Sequence, residues 1–220
     1  MHDIAAPRLG ALPGRDEIAR RLAGQPPAHE LLTADDLEKL NENSRQPLKP
    51  AAVLLLVIAH RDEPTVVFTQ RTAHLADHAG QISFPGGRVH ADDGSAERTA
   101  LREAEEEIGL SPDRVEILGQ LPEYRTGTGF SVTPVVGWAE PPLVYVPDPQ
   151  EVAEVFEVPL AFLLDARNHR YESAFFRGAL RKYWAVPYGD RYIWGATAAM
   201  LVTFYRLLTL KPGTEPNFAG

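Results

Sequence analysis

The sequence predicts an α+β fold, a mixed β-sheet enclosed in an α/β/α sandwich. Three observations carry that expectation. The run AAVLLLVIA at residues 51–59 is apolar almost without a break, the mark of a strand covered on both faces. Further strand-like segments follow at uneven spacing, which excludes a regular alternation of strand and helix. Only two long segments carry a helical period, SAERTALREAEEEI (95–108) and WGATAAMLVTFYRLL (194–208).

Along the chain, RDEIARRLAGQ (15–25) reads as a short amphipathic helix that Gly24 can end. Thr33 opens TADDLEKLNE as an N-cap with acidic residues in the first turn. Residues 1–47 are therefore expected to form a helical arm, 48–210 the main domain and 211–220 a frayed tail. TVVFTQ (65–70) follows a DEP turn and is placed to pair with the first strand. VEILGQL (115–121), SVTPVVGWA (131–139), VAEVFEVPL (152–160), RYESAFF and KYWAVPY are the remaining strand candidates. In the last helix Met200, Leu201, Phe204, Leu207 and Leu208 recur at helical spacing.

Composition narrows the function. At 220 residues, 44% hydrophobic and 24% charged, the chain can bury one full core. It has no cysteine, so disulfides and thiolate metal sites are excluded. A net charge of −8 argues against nucleic-acid binding through a broad basic surface, but not against a small phosphate-bearing substrate bridged by a cation. No apolar run reaches membrane-span length, and the N-terminus lacks the apolar core of a signal peptide. The expectation is a cytoplasmic protein with a small-molecule substrate and neither nucleic acid nor membrane as partner; a homodimer is compatible with this.

The segment LREAEEEIGL (101–110) crowds four glutamates together. At about 100° per residue, Glu103, Glu106 and Glu107 fall within about a 100° arc beside the apolar stripe of Leu101, Ala104 and Ile108, whereas Glu105 points away. Ser95 is the expected N-cap and Gly109 the residue that ends the helix. No cation stands three or four residues beyond any of these glutamates. Two readings follow: a solvated acidic face, or an oxygen-rich site suited to Mg²⁺ or Mn²⁺.

The preceding residues favour the second. FPGGRVHADDGSAERTALREAEEEIGL resembles the signature of the Nudix hydrolase family, a glycine loop running into a helix with the pattern R-E-x-x-E-E-x-G. Gly86 and Gly87 match the loop glycines, and Arg102, Glu103, Glu106, Glu107 and Gly109 match the helix. Asp93 stands where the pattern has Glu, in a loop one residue longer. Upstream, VVFTQRTAHLADHAGQISFPGG resembles the extra signature of the coenzyme A pyrophosphatase subgroup. Thr69, Arg71, Leu75, His78, Gly80, Gln81, Phe84 and Pro85 agree, while Thr72, Ala76, Ile82 and His90 depart from it. The resemblance implies a Nudix-like fold and hydrolysis of coenzyme A or acyl-coenzyme A to 3′,5′-ADP and a 4′-phosphopantetheine moiety. It implies Glu103, Glu106 and Glu107 as metal ligands, with Glu103, Glu106 and Arg102 carrying the catalytic step and Arg102 orienting Glu103.

Gly86 and Gly87 are expected to form a turn that lets backbone approach metal or phosphate closely. Arg71 is a candidate to hold a phosphate bidentately or to brace a loop. His78 and Gln81 are candidates for substrate contact or for structural hydrogen bonds. Glu151 and Glu154 are candidates for a carboxylate outside the motif, with a strand-edge surface role as the alternative. RTGTG (125–129) reads as an inter-strand loop, and Trp138, Trp184 and Trp194 as core or rim packing residues. Ala76 stands where the subgroup has Arg, with Arg88 and Arg125 as loop cations that could substitute. The expectation is weaker discrimination between coenzyme A and dephospho-coenzyme A than in the subgroup, which Ala76→Arg would sharpen.

Overall fold

The computed structural model describes residues 12–33, 36, 47–72, 80–176 and 179–209. The chain opens with helices α1 (Arg15–Ala23) and α2 (Ala28–Leu31). Strands β1 (Lys49–Ile58), β2 (Thr65–Arg71), β3 (Ile82–Ser83) and β4 (Gly86–Arg88) lead into helix α3 (Ala96–Ile108). Then come β5 (Glu116–Gln120), β6 (Tyr124–Arg125), β7 (Phe130–Ala139), β8 (Val152–Pro159) and the short α4 (Leu160–Leu163). A hairpin of β9 (Arg170–Phe176) and β10 (Ala179–Tyr188), strand β11 (Arg191–Trp194) and helix α5 (Ala196–Thr209) complete the described chain.

The sheet is mixed because β1 has both kinds of neighbour. It runs parallel to β7 along its length, from Lys49 opposite Phe130 to Ile58 opposite Ala139. On its other side it pairs antiparallel with β4 at its start and with β2 at its end. Strands β9, β10 and β11 form a separate antiparallel sheet. Side chains alternate across a strand, so β1 serves two cores. Ala52, Leu54, Leu56 and Ile58 pack with Ala100, Ala104 and Ile108 of α3. Leu55 and Val57 pack with Phe68, Met200, Phe204 and Leu207 on the opposite side. That double burial accounts for the unbroken apolar run.

The strands expected from apolar patterning lie within a few residues of their expected limits. β3, β4, β6 and β11 had no such signal, since each is four residues or fewer. The glycine pair is one of these short strands: Gly86–Gly87 pairs with Ala52 and Val53, where a turn was expected. The segment read as an arm is built into the main core. Ile18, Leu22 and Leu31 are buried in the same cluster as Phe204 and Leu207, and Arg206 Nη1 donates to the Leu31 carbonyl at 2.9 Å. Thr33 caps as expected, its Oγ1 accepting from Asp36 N at 3.1 Å. The rest of that helix and the 211–220 tail lie outside the described residues.

Because Ile18 is fully buried, Ile18→Ala is expected to destabilise the whole domain by about 2–5 kcal/mol. Denaturant unfolding checks this. A change within experimental error would mean that the N-terminal helices do not share the core.

Candidate active site

The site is built where α3 crosses the start of the sheet. Ser95 Oγ accepts from Arg98 N at 3.3 Å at the helix N-terminus, and Gly109, with φ 67°, ends the helix in the left-handed region. Beyond Gly109 the chain folds back over the helix end, with Val146 N donating to Ile108 O at 2.8 Å and Asp148 N to Glu107 O at 2.9 Å. Ala100 and Ala104 let the helix lie close to β1 and β4.

That closeness explains the glycines. A Cβ on Gly87 would overlap the Glu103 carboxylate, and one on Gly86 would overlap the backbone of Ala52 and Val53. Gly86 also has φ 155°, which side chains resist. β4 therefore has to be bare on its helix side. Among the described residues its outer edge has no neighbouring strand and is bonded by helix side chains instead. Gly86 N donates to Glu107 Oε2 at 3.1 Å, and the Arg88 carbonyl accepts from Arg102 Nη2 at 3.0 Å.

The carboxylates differ by their position on the helix. Taking the apolar stripe as centre, Glu107, Glu103 and Glu106 lie progressively farther round, and their side chains are 6%, 14% and 59% exposed. Burial is the main cause that pushes the Glu107 carboxyl up to about 8. The nearby Glu103 charge adds to this, against the Gly86 N–H and Arg71. Glu103 is also raised, chiefly by burial, with Arg102 opposing. Glu105 is exposed and faces away.

Arg102 is the hub. It meets Glu103 Oε1 and Glu106 Oε2 at 2.9 Å each, and Asp93 through Nε at 2.8 Å and Nη2 at 3.0 Å. Asp93 is buried and also accepts from His90 N and Thr99 Oγ1, both at 2.8 Å. Hydrogen bonding to Arg102, then to the His90 N–H, holds its carboxyl well below the usual range. Relief of the glutamate repulsion thus comes from a cation that precedes Glu106 by one turn, not from one beyond it.

Arg71, at the end of β2, faces Glu107 at 3.7 Å and Glu151 at 3.9 Å, and its N–H donates to the Gln81 carbonyl at 3.0 Å. Glu151 therefore borders the site. Glu154 forms a bidentate pair with Arg191 instead, both contacts at 2.7 Å. Glu106, expected as a third ligand beside Glu103 and Glu107, points to solvent on Arg102 and joins them only if its side chain turns. His78 and Ala76 lie outside the described residues. Of the tryptophans, Trp138 is buried, Trp184 packs against the core and Trp194 is 43% exposed. What the sequence reading passed over is Asp93 as the partner of Arg102; its position was visible only as a departure from a motif.

Among the described residues no three Asp, Glu or His side chains converge as an ion-binding cluster. Even so, the donor set fits a hard divalent cation: two desolvated carboxylates lie near enough to act on each other's charge, and the facing Arg71 is beyond hydrogen-bond reach of Glu107.

A mixed sheet whose bare glycine strand faces a carboxylate-bearing helix defines a class of hydrolase acting on nucleoside diphosphate derivatives. The chain belongs to this class, the Nudix family: the NUDIX domain profile matches residues 48–175. It is 42% identical over 165 residues to the "Uncharacterized Nudix hydrolase NudL" of Escherichia coli K12, covering 75% of this chain and 84% of that one. The NudL of Shigella flexneri serotype 5b is 41% identical over 174 residues, 79% and 88% of the two chains. Among solved structures, the Nudix hydrolase RenU of M. smegmatis is similar at 25% identity and TM-score 0.44, over 52% of this chain and 72% of that one. No helix among the described residues is long and apolar enough to cross a membrane.

Two predictions follow from this geometry. Glu107→Gln keeps an acceptor for the Gly86 N–H and removes the titratable carboxyl. Activity is expected to be lost, while the metal-free variant melts no lower than wild type. The sign follows from the raised carboxyl: the folded protein holds a proton that the unfolded chain releases near its ordinary value of 4.5. Metal-free wild-type stability is therefore expected to fall as pH rises between about 4.5 and about 8. Melting curves of both proteins across that window check this, and a slope as steep in the variant would refute the assignment to Glu107.

Asp93→Asn is expected to lower kcat by roughly 10–100-fold with a smaller effect on KM, the scale on which outer partners of ligating groups act. Steady-state kinetics decide, with Glu105→Gln as the mild control. Equal damage from Glu105→Gln would overturn the face assignment.

Proposed function

We propose that the protein hydrolyses the diphosphate bond of coenzyme A and its thioesters, with Mg²⁺ or Mn²⁺. The observation that carries this reading is the segment VVFTQRTAHLADHAGQISFPGG, whose two described parts meet at the site. Arg71, at the end of β2, hydrogen-bonds the Gln81 backbone and turns its guanidinium toward Glu107. The last residues of the segment are β4 itself. A signature longer than the glycine motif, with Arg71 and the glycine pair both beside the carboxylates of α3, supports a substrate-specific site.

In this reading Glu103 and Glu107 hold the metal, with Glu106 as a direct or water-mediated third donor. When bound, the metal supplies an activated water and neutralises charge on the phosphate oxygens. The other steps belong to the chain's own residues. Arg102, clamped by Asp93, holds the Glu103 carboxylate toward Gly87. Arg71 lies between Glu107 and Glu151 at distances too long for full hydrogen bonds, so its guanidinium remains able to fork onto a phosphate. Gln81 lines the approach through the backbone bond to Arg71. The glycines Gly86 and Gly87 leave room for the Glu103 carboxylate and for the close approach of β1.

The test is a substrate panel of coenzyme A, acyl-coenzyme A, ADP-ribose and NADH with product identification. The expected products are 3′,5′-ADP and a 4′-phosphopantetheine moiety, and exhaustive chelation is expected to stop turnover without unfolding. Faster turnover of ADP-ribose or NADH would replace this reading with another Nudix specificity, and full activity after chelation would remove the metal from it.

A further inference from the structure

Alternation along β4 separates two functions. Gly87 faces α3 and Glu103, so the next residue, Arg88, projects from the opposite face of the strand. There its guanidinium carbon lies 5.4 Å from the centre of the Phe130 ring, and Lys49 Nζ lies 5.9 Å from the same ring. The register requires this meeting. Lys49 of β1 is opposite Phe130 of β7, and Arg88 is opposite Ala51, one same-face step along β1 from Lys49.

Two like charges beside one ring repel each other, and the ring's π-face offsets only part of that repulsion. Neither cation has an ion pair with a carboxylate among the described residues, in a chain whose acidic residues outnumber its basic ones by 30 to 22. Both side chains are exposed and reachable. An anion of charge near −2 suits such a pair, and a phosphomonoester carries about −1.5 to −2 at neutral pH. Strand residues are about 3.3 Å apart, so this pair lies within a nucleotide's span of the carboxylates. Arg125, the other loop cation considered from the sequence, pairs with Glu123 at 3.2 Å.

We propose that Lys49 and Arg88, gathered on the Phe130 ring, form a subsite for a phosphomonoester on the nucleoside end of the substrate, beyond the diphosphate that is cleaved. The subsite rests on the reading of the protein as a coenzyme A diphosphatase and names the cations that read the 3′-phosphate. It places that recognition on the face of β4 opposite the metal-binding carboxylates.

The test uses Arg88→Met, Lys49→Met and the double variant, which keep an apolar stem against Phe130. The measurements are kcat/KM for coenzyme A and dephospho-coenzyme A, and calorimetric affinity for 3′,5′-ADP and 5′-AMP. For each single variant, the loss on coenzyme A is expected to exceed the loss on dephospho-coenzyme A by roughly tenfold to a hundredfold. The preference for 3′,5′-ADP over 5′-AMP is expected to collapse in the double variant. Parallel losses on both substrates with an unchanged preference would mean that the cations only cover the ring, and would overturn the subsite. Wild type that hydrolyses neither coenzyme A form would remove the functional reading instead. In that case the two nucleotide affinities still decide the subsite, since preference for 3′,5′-ADP that depends on Lys49 and Arg88 supports it and equal affinities refute it.

Discussion

The contact between helix α3 and the unpaired edge of β4 is the constraint on which the site depends. A three-residue strand with two glycines has little propensity to stay extended, and its outer edge would normally call for another strand. Here Glu107 accepts from the Gly86 N–H and Arg102 donates to the Arg88 carbonyl. The helix thus completes the sheet with side chains, and the same side chains line the reacting centre. Moving the helix by even a methyl group's width would break both bonds, which is why Ala100 and Ala104 on the helix and Gly86 and Gly87 on the strand have to stay small.

This arrangement keeps carboxyl groups where stability alone would not. Glu107 is buried with Glu103 near it, and the facing Arg71 stays beyond hydrogen-bond reach. Glu106 is the carboxylate that the fold tolerates easily, being exposed and one turn from Arg102. The segment that bonds back to the Ile108 and Glu107 carbonyls fixes the helix end where those buried carboxyls would otherwise loosen it. Strain of this kind, held in place by surrounding structure, is common at sites that bind something of opposite charge.

Much of this was legible from residue order. The double burial of β1 is written in AAVLLLVIA, and Ser95 and Gly109 mark the limits of α3 by their cap chemistry. The helical wheel separated Glu105 from the rest, but it placed all three other glutamates along the edge of the buried face, where Glu106 instead points to solvent. Short strands were not legible, because two to four residues carry no period. The burial of Ile18 and Leu31 was not legible either: an amphipathic helix shows that a face is covered but not what covers it. The cluster of Lys49, Arg88 and Phe130 depends on register between strands far apart in sequence, information that a single chain read in order does not contain.

Asp93 shows how a departure from a motif can keep its geometry. Asp is shorter than Glu by one methylene, about 1.5 Å of reach. In this chain Asp93 keeps its place six residues after Gly87, the extra loop residue follows it, and the turn before it closes on Asp93 through the His90 N–H. The turn brings the Asp93 backbone toward the helix, and Thr99 Oγ1 fixes the carboxylate from the first turns of α3. Both oxygens then face Arg102, at 2.8 and 3.0 Å. What has to persist is a desolvated carboxylate that holds the guanidinium flat against β4.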